Sequence, residues 1–245
     1  MTEPPTGQTK PPERASLWED FLEIFINPAA VFERRKASGF WLPLLVVTVA
    51  IAVLFLAFRG AMQPIMDAEY NRAIARVMEQ NPQLTPEQLA SGKAFQERFA
   101  SIMIVLGVPV AILLVGLVLW MAGKLVGAVQ TLGAACMVTA YSFSPRIVER
   151  LVEAAQALFL PEEQLTGRGA VSLGPARFFD PNTASPVLSA LLLRADVFTL
   201  WVTVLLAIGL RVTGKVPMSK AFIAAAIVWL VGGLPSLIGA MRMAG

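Results

Sequence analysis

Apolar positions in this chain run in blocks too long for a soluble helix. No Asp, Glu, Lys or Arg falls between Arg98 and Lys124, a stretch of 25 residues. Comparable gaps separate Lys36 from Arg59 (22 residues), Lys124 from Arg146 (21) and Lys220 from Arg242 (21). A helix needs about 20 apolar residues to cross a hydrocarbon layer about 30 Å thick. The pattern predicts spans at about 39–58, 99–123, 125–145 and 221–241. Another is predicted at about 187–210, where the charge-free part, Val197 to Leu210, is only 14 residues. It reaches the required length only by extending back across Asp196 and Arg194. The expected fold class is all-α: a polytopic membrane domain over 37–245 with five transmembrane helices, preceded by amphipathic interfacial helices.

Ahead of the first block the pattern changes. Residues 1–15 are rich in Pro, Thr and polar side chains, and are expected to be a disordered polar tail. From there Leu17, Trp18, Phe21, Leu22 and Phe25 recur at helical spacing, with Glu19, Asp20 and Glu23 opposite. Ser16 and Glu19 make a capping box. Asn27-Pro28 ends this helix and begins a second, which carries Val31 and Phe32 and closes on Glu33, Arg34, Arg35 and Lys36. The two helices over 16–36 are expected either to lie on the membrane, with Trp18, Phe21 and Phe25 inward, or to pack against the spans. Between spans one and two, Ile65, Met66, Tyr70, Ile74, Val77 and Met78 also repeat at helical spacing. Asn81-Pro82 stops that helix, and Thr85 with Gln88 starts one that runs into span two. Beyond Pro145 an amphipathic arm sets Ile147, Leu151 and Leu158 against Arg146, Glu149, Arg150 and Glu153, followed by a Gly/Pro-rich loop at 161–185.

Composition agrees with a lipid environment. Of 245 residues 56% are hydrophobic and 15% charged, with mean hydropathy +0.65, where soluble domains carry about 25% charge. The net charge of +3 does not point to nucleic acid, because the bases are not gathered in one solvated stripe. Arg34, Arg35 and Lys36 precede span one, while Lys124, Arg211, Lys215 and Lys220 occupy the short connections. By the positive-inside rule these share the cytoplasmic side. The N-terminus is therefore expected in the cytoplasm and the C-terminus outside. The Ala-, Gly- and Arg-rich composition fits a prokaryotic plasma membrane. No signal peptide is expected, and the single cysteine, Cys136, reads as a small buried hydrophobe.

Candidate chemistry is sparse. The chain has no histidine, which removes HExxH metalloproteases, Ser-His dyads and most zinc or haem sites. P-loop and GxGxxG patterns are absent. No catalytic residue, cofactor or metal is expected. The strongest polar group is Arg194 with Asp196, two residues apart and so on opposite helix faces. Arg146, at the outer end of span three, is the expected partner of Asp196 in an ion pair clamping spans three and four. In the alternative, Arg194 reaches for the interface and Asp196 caps a helix. Gly232, Ser236 and Ala240 form a small-residue ridge suited to close helix packing.

Three segments carry a resemblance to a known family. They are Leu17-Trp18-Glu19-Asp20-Phe21 with Ile24-Phe25-Ile26-Asn27-Pro28; Gln130-Thr131-Leu132 followed by Tyr141-Ser142-Phe143-Ser144-Pro145; and Asp196-Val197-Phe198 with Trp201 and Ile208-Gly209-Leu210. In their order around the spans the chain resembles the YIP family, the Ypt/Rab-GTPase-interacting multi-pass membrane proteins, in its prokaryotic branch. The family-like positions are Tyr141, Pro145, Asp196, Phe198 and Trp201. The resemblance implies five helices, a cytoplasmic N-terminus and no catalysis. Eukaryotic relatives act in vesicle trafficking, but their N-terminal Asp-Leu-x-Gly-Pro pattern is missing here, so a GTPase partner is not carried over.

The function expected is a non-enzymatic membrane protein that organises lipid or partner proteins, itself included. Its working surface is expected at Trp18, Phe21, Phe25, Arg34, Arg35 and Lys36, with the three bases attracting anionic lipid. The competing class is a small transporter or channel built on Arg146, Arg194 and Asp196.

Overall fold

The computed structural model describes residues 16–80, 83 and 85–244. The polar tail at 1–15 and the Asn81-Pro82 helix stop lie outside the described residues. All secondary structure among the described residues is helical.

Two short helices, α1 (Leu17–Glu23) and α2 (Pro28–Arg35), come first. Ser16 and Glu19 form the capping box in full, satisfying backbone donors that a helix start leaves open. Asn27 caps α2, and Pro28 takes its first turn, where a missing N–H is no loss.

Helices α3 (Trp41–Gln80) and α4 (Pro86–Leu125) have 40 residues each. At 1.5 Å per residue each is about 60 Å long, twice the hydrocarbon thickness. The ranges 39–58 and 99–123 therefore cover only part of each. The polar segment between them forms the two helix tips, tied by Tyr70 Oη donating to the Leu89 carbonyl (2.7 Å) and by a Lys93–Asp67 ion pair (2.7 Å).

The expected third span, 125–145, is not one helix. The chain leaves α4 after Leu125, turns at Gly127 (φ 86°), and begins α5 (Leu132–Ser142) only at the Thr131 cap. Pro145 then opens α6 (Pro145–Phe159). With 11 residues α5 is about 16 Å long. Its side chains from Ala135 to Ser142 are all buried. Glycines make room for it. A Cβ at Gly116 would meet Cys136 at 3.0 Å, and one at Gly209 would collide with the Val138 side chain. Its apolar run is thus explained by protein neighbours, and hydropathy does not separate those from lipid.

The loop holds a short helix α7 (Arg168–Val171) between two 3-10 turns. The expected fourth span, 187–210, is also divided. Helix α8 (Pro186–Arg194) stops at Ala195, and α9 (Val197–Gly214) starts from an Asp196 cap, four residues longer at its far end than the sequence suggested. Helix α10 (Met218–Ala244) closes the chain. By length and apolarity four helical segments can cross a membrane: α3, residues 105–125 of α4, α9 and α10.

The end of α4 lies beside the end of α9, where Val129 N donates to the Gly214 carbonyl (3.1 Å). Lys124, Arg211, Lys215 and Lys220 mark this basic end of the bundle. The 161–185 loop marks the opposite, loop end.

Candidate functional site

Helices α1 and α2 fold back on each other around Asp20, whose side chain is 0% exposed. Asp20 Oδ1 accepts from Arg34 Nε (3.0 Å) and Nη2 (2.5 Å), and Oδ2 accepts from Arg35 Nε (2.5 Å). Glu23 adds a second carboxylate to Arg34 at 2.6 Å. Asp20 and Glu23 together hold the Arg34 guanidinium above its ordinary value. Lys36 pairs with Glu33. All three bases expected at the lipid surface thus also have carboxylate partners within the hairpin, Arg34 and Arg35 on Asp20 and Lys36 on Glu33.

The aromatic residues divide. Phe21 packs on Tyr141 of α5 with ring centroids 5.2 Å apart, and Phe25 meets Trp201 of α9 edge-on at 5.3 Å. Ile24, Val31 and Phe32 join the same buried cluster. Trp18 points away, 70% exposed, in line with Leu22 (71%) and Ile26 (87%). Trp18 and Leu22 lie one turn apart on α1, and Ile26 follows in the turn after it, so the three make an exposed apolar patch among the described residues. Helix α1 is thus apolar on two sides, one fixed to the bundle and one open.

At the loop end a cavity of about 540 Å³ is walled by the tip of α3, by α6, by the loop, by α8 and by the upper part of α10. Arg146, Arg194 and Asp196 all line it, so the structure brings that predicted cluster together. It does not pair Arg146 with Asp196. Arg146 Nη1 donates to both Glu149 oxygens (2.7 Å each), and Nη2 donates to Thr199 Oγ1 (3.0 Å). Asp196 Oδ1 accepts from Phe198 N (2.9 Å) as the α9 cap, while Oδ2 accepts from Ser172 Oγ (2.7 Å) and Leu173 N (2.8 Å). The helix break at 195–196 causes the difference, because it turns the carboxylate onto the new helix start and the loop. The loop backbone comes so close that a Cβ at Gly174 would stand 3.0 Å from Asp196 Cα.

Six arginines line the wall, Arg72, Arg76, Arg146, Arg150, Arg168 and Arg194, against four carboxylates, Glu69, Glu149, Glu153 and Asp196. Arg150 pairs with Glu153 (2.6 Å) and Arg168 with Glu69 (3.3 Å). Burial pushes the Glu153 carboxyl up to about 6. Arg72 donates to the Thr166 carbonyl beside Gly167, where a Cβ would collide with its guanidinium. Arg194 donates to the Trp229 carbonyl and lies over the indole, 5.2 Å from the ring centroid. Gly232 and Gly233 seat it, a Cβ at the latter falling 3.3 Å from Nε. The small-residue ridge read as helix packing is in part the seat of a guanidinium.

Sequence reasoning missed Asp20 as the hairpin's clamp, and Arg72 and Arg76 as wall residues. The available signals were an acid between Trp18 and Phe21, and two arginines one helical turn apart on the tip of α3.

The family model for the Yip1 domain matches residues 22–239. The chain belongs to the Yip1 domain family. Searches of curated proteins and of solved structures each returned no match. The Yip1 domain begins inside α1 and ends inside α10, so it takes in α2, the cavity wall apart from Ala240, and all five family-like positions. Within it Tyr141 and Trp201 receive the N-terminal hairpin. Pro145 opens α6, Asp196 caps α9, and Phe198 is buried. Asp20 and Trp18 precede the matched segment. Membership and the four long apolar helices make this a membrane protein of YIP type.

Proposed function

We propose that this Yip1-domain protein is a non-enzymatic scaffold that crosses the membrane five times and organises lipid or partner proteins through α1 and α2. The observation that carries the reading is the exposed patch of Trp18 and Leu22 on α1 and Ile26 in the turn after it, on a hairpin whose other apolar side is fixed to the bundle. A contiguous apolar stripe on a docked helix suits insertion into the interfacial layer. Trp18, Leu22 and Ile26 make the contact. Arg34 and Arg35 brace the hairpin through Asp20 and, with Lys36, attract anionic lipid, while Phe21 and Phe25 anchor it.

Five crossings are supported by the chain's path. Helix α4 ends beside the end of α9, so residues 126–196 must travel from the basic end to the loop end before α9 begins. Helix α5, with its entry link and the Ser144-Pro145 joint, is the third crossing, short and wrapped by protein. Helix α6 continues beyond it along the cavity. The basic end faces the cytoplasm under the positive-inside rule, and the C-terminus, at the other end of α10, lies outside. A prokaryotic plasma membrane is the proposed location.

A transport role would use the loop-end cavity. Its wall reaches inward as far as Arg194, seated against Gly232 near the middle of α10, but includes no residue of the basic end, which favours a scaffold with a binding pocket over a conduit. The test is a photo-crosslinking amino acid at Leu22, activated in native membranes. Lipid adducts or a discrete membrane-protein adduct are expected. Labelling by water alone, with neither adduct, contradicts the proposal.

A further inference from the structure

We propose that the loop-end cavity is a binding site for a phosphate-bearing anion, held by Arg72, Arg76 and Arg194. Charge in the wall is unbalanced in a specific way. Glu69, Glu149 and Glu153 are each taken by Arg168, Arg146 and Arg150. Asp196 spends both oxygens on Ser172, Leu173 and Phe198. No wall carboxylate is left for the other three arginines. Arg72 has the Thr166 carbonyl, and Arg194 has the Trp229 carbonyl. Arg76 has no hydrogen-bond or ion-pair partner among the described residues. Arg194 Nε is buried without a partner.

Buried or half-buried guanidinium groups are costly unless an anion answers them. No described residue of the wall supplies that anion, and the cavity leaves room for a ligand that does. The three arginines line the cavity from two sides, α3 and α8. A carboxylate offers two oxygens in one plane, whereas a phosphate ester offers several in different directions, and Arg matches phosphate bidentately. A volume of about 540 Å³ is in the range of small-molecule sites. Phe179, Leu192 and Leu193 in the wall suit the organic part of an ester. The ligand is a soluble phosphate ester or the headgroup of a phospholipid. The site is separate from the α1 stripe and stands or falls without it.

The test uses the full chain, delipidated and reconstituted in phosphatidylcholine nanodiscs. One arm titrates inorganic phosphate by calorimetry. The other measures retention of phosphatidylglycerol against phosphatidylcholine by native mass spectrometry. Saturable binding is expected in at least one arm. Phosphate binding without selective phosphatidylglycerol retention identifies a soluble ligand, and selective phosphatidylglycerol retention identifies a headgroup. Arg76→Gln removes a side chain with no internal partner, so the fold is expected to survive, and affinity should fall by about tenfold or more. Arg76→Lys should recover part of the loss. Arg211→Gln, at the opposite end of α9, should bind as the wild type does. Absence of saturable binding in both arms overturns the proposal, as does an Arg76→Gln protein that binds as tightly as the wild type.

Discussion

Arg194 and Trp229 hold each other by three contacts at once. The Arg194 guanidinium donates to the Trp229 carbonyl and lies 5.2 Å from the indole centroid, while Trp229 Nε1 donates to the Arg194 carbonyl at 3.2 Å. Trp229 and Gly232 lie near the middle of the charge-free run of α10, between Lys220 and Arg242. On the insertion scale an arginine at a helix centre costs about 2.5–3.5 kcal/mol. Cation–π contact offsets only part of that, and Nε is left without a partner. On this balance the three contacts with Trp229 do not fully repay burying Arg194. Arg194→Leu is expected to keep or raise the melting temperature in detergent while abolishing anion binding. A fall of more than about 5 °C, or roughly 1–2 kcal/mol at this chain length, would make the residue structural instead.

Close approach of α5 and α9 depends on Gly209. An added Cβ there collides with Val138, and overpacking of this kind costs about 1–3 kcal/mol. Gly209→Ala should lower the melting temperature, and Val138→Ala in the same chain should restore part of the loss. Two losses that simply add would show that the pair does not touch.

Asp196 caps α9 and pins the loop through Ser172 and Leu173. Loss of the cap costs about 1 kcal/mol, and stranding the buried Ser172 hydroxyl about 1–3 kcal/mol more. Asp196→Ala should destabilise accordingly and open 161–185 to proteolysis, with Asp196→Asn milder. Because Arg146 bonds Glu149 and Thr199, Arg146→Ala and Asp196→Ala should be additive within about 0.5 kcal/mol. A larger coupling would restore the direct ion pair.

Glu153 sets a pH dependence. Its carboxyl is raised from 4.5 to about 6 by burial, so between those values the folded chain keeps a proton that the unfolded chain has lost. Stability is then highest below pH 4.5 and declines as pH rises through 6, by about 2 kcal/mol in all. Glu153→Gln should flatten the melting temperature across that window and raise it at pH 7.5. A wild-type profile already flat from pH 4.5 to 7 would refute this.

Local chemistry was legible in the sequence where partners are three residues apart. The Ser16–Glu19 and Thr85–Gln88 boxes form as their spacing predicts, because each needs only its own turn. Longer-range relations were not. Asp20 meets Arg34 and Arg35 across 14 and 15 residues, and only the folded hairpin reveals that those bases are paired. Apolar runs show burial but not by what, which is why 125–145 read as a span when α5 is enclosed by α4 and α9. At 195–196 helix continuation competes with Asp196 as a cap, and the loop contacts through Ser172 decide for the break. The arginine cavity was half visible. Arg146, Arg194 and Asp196 stood out inside apolar runs, whereas Arg72 and Arg76 sat unremarked in a charge-balanced segment.

The α1 surface is tested most directly by spin labels placed singly at Trp18, Glu19, Leu22 and Ile26, in a Cys136→Ser background reconstituted in bilayers. Collisional accessibility to oxygen and to a nickel chelate separates lipid from water at each position. The expected result is oxygen-dominated relaxation at 18, 22 and 26 and nickel-dominated relaxation at 19, with the contrast lost when Asp20→Ala releases the hairpin. Nickel-dominated relaxation at all four positions in the intact hairpin would mean that the stripe faces water, and would contradict the proposed role of α1.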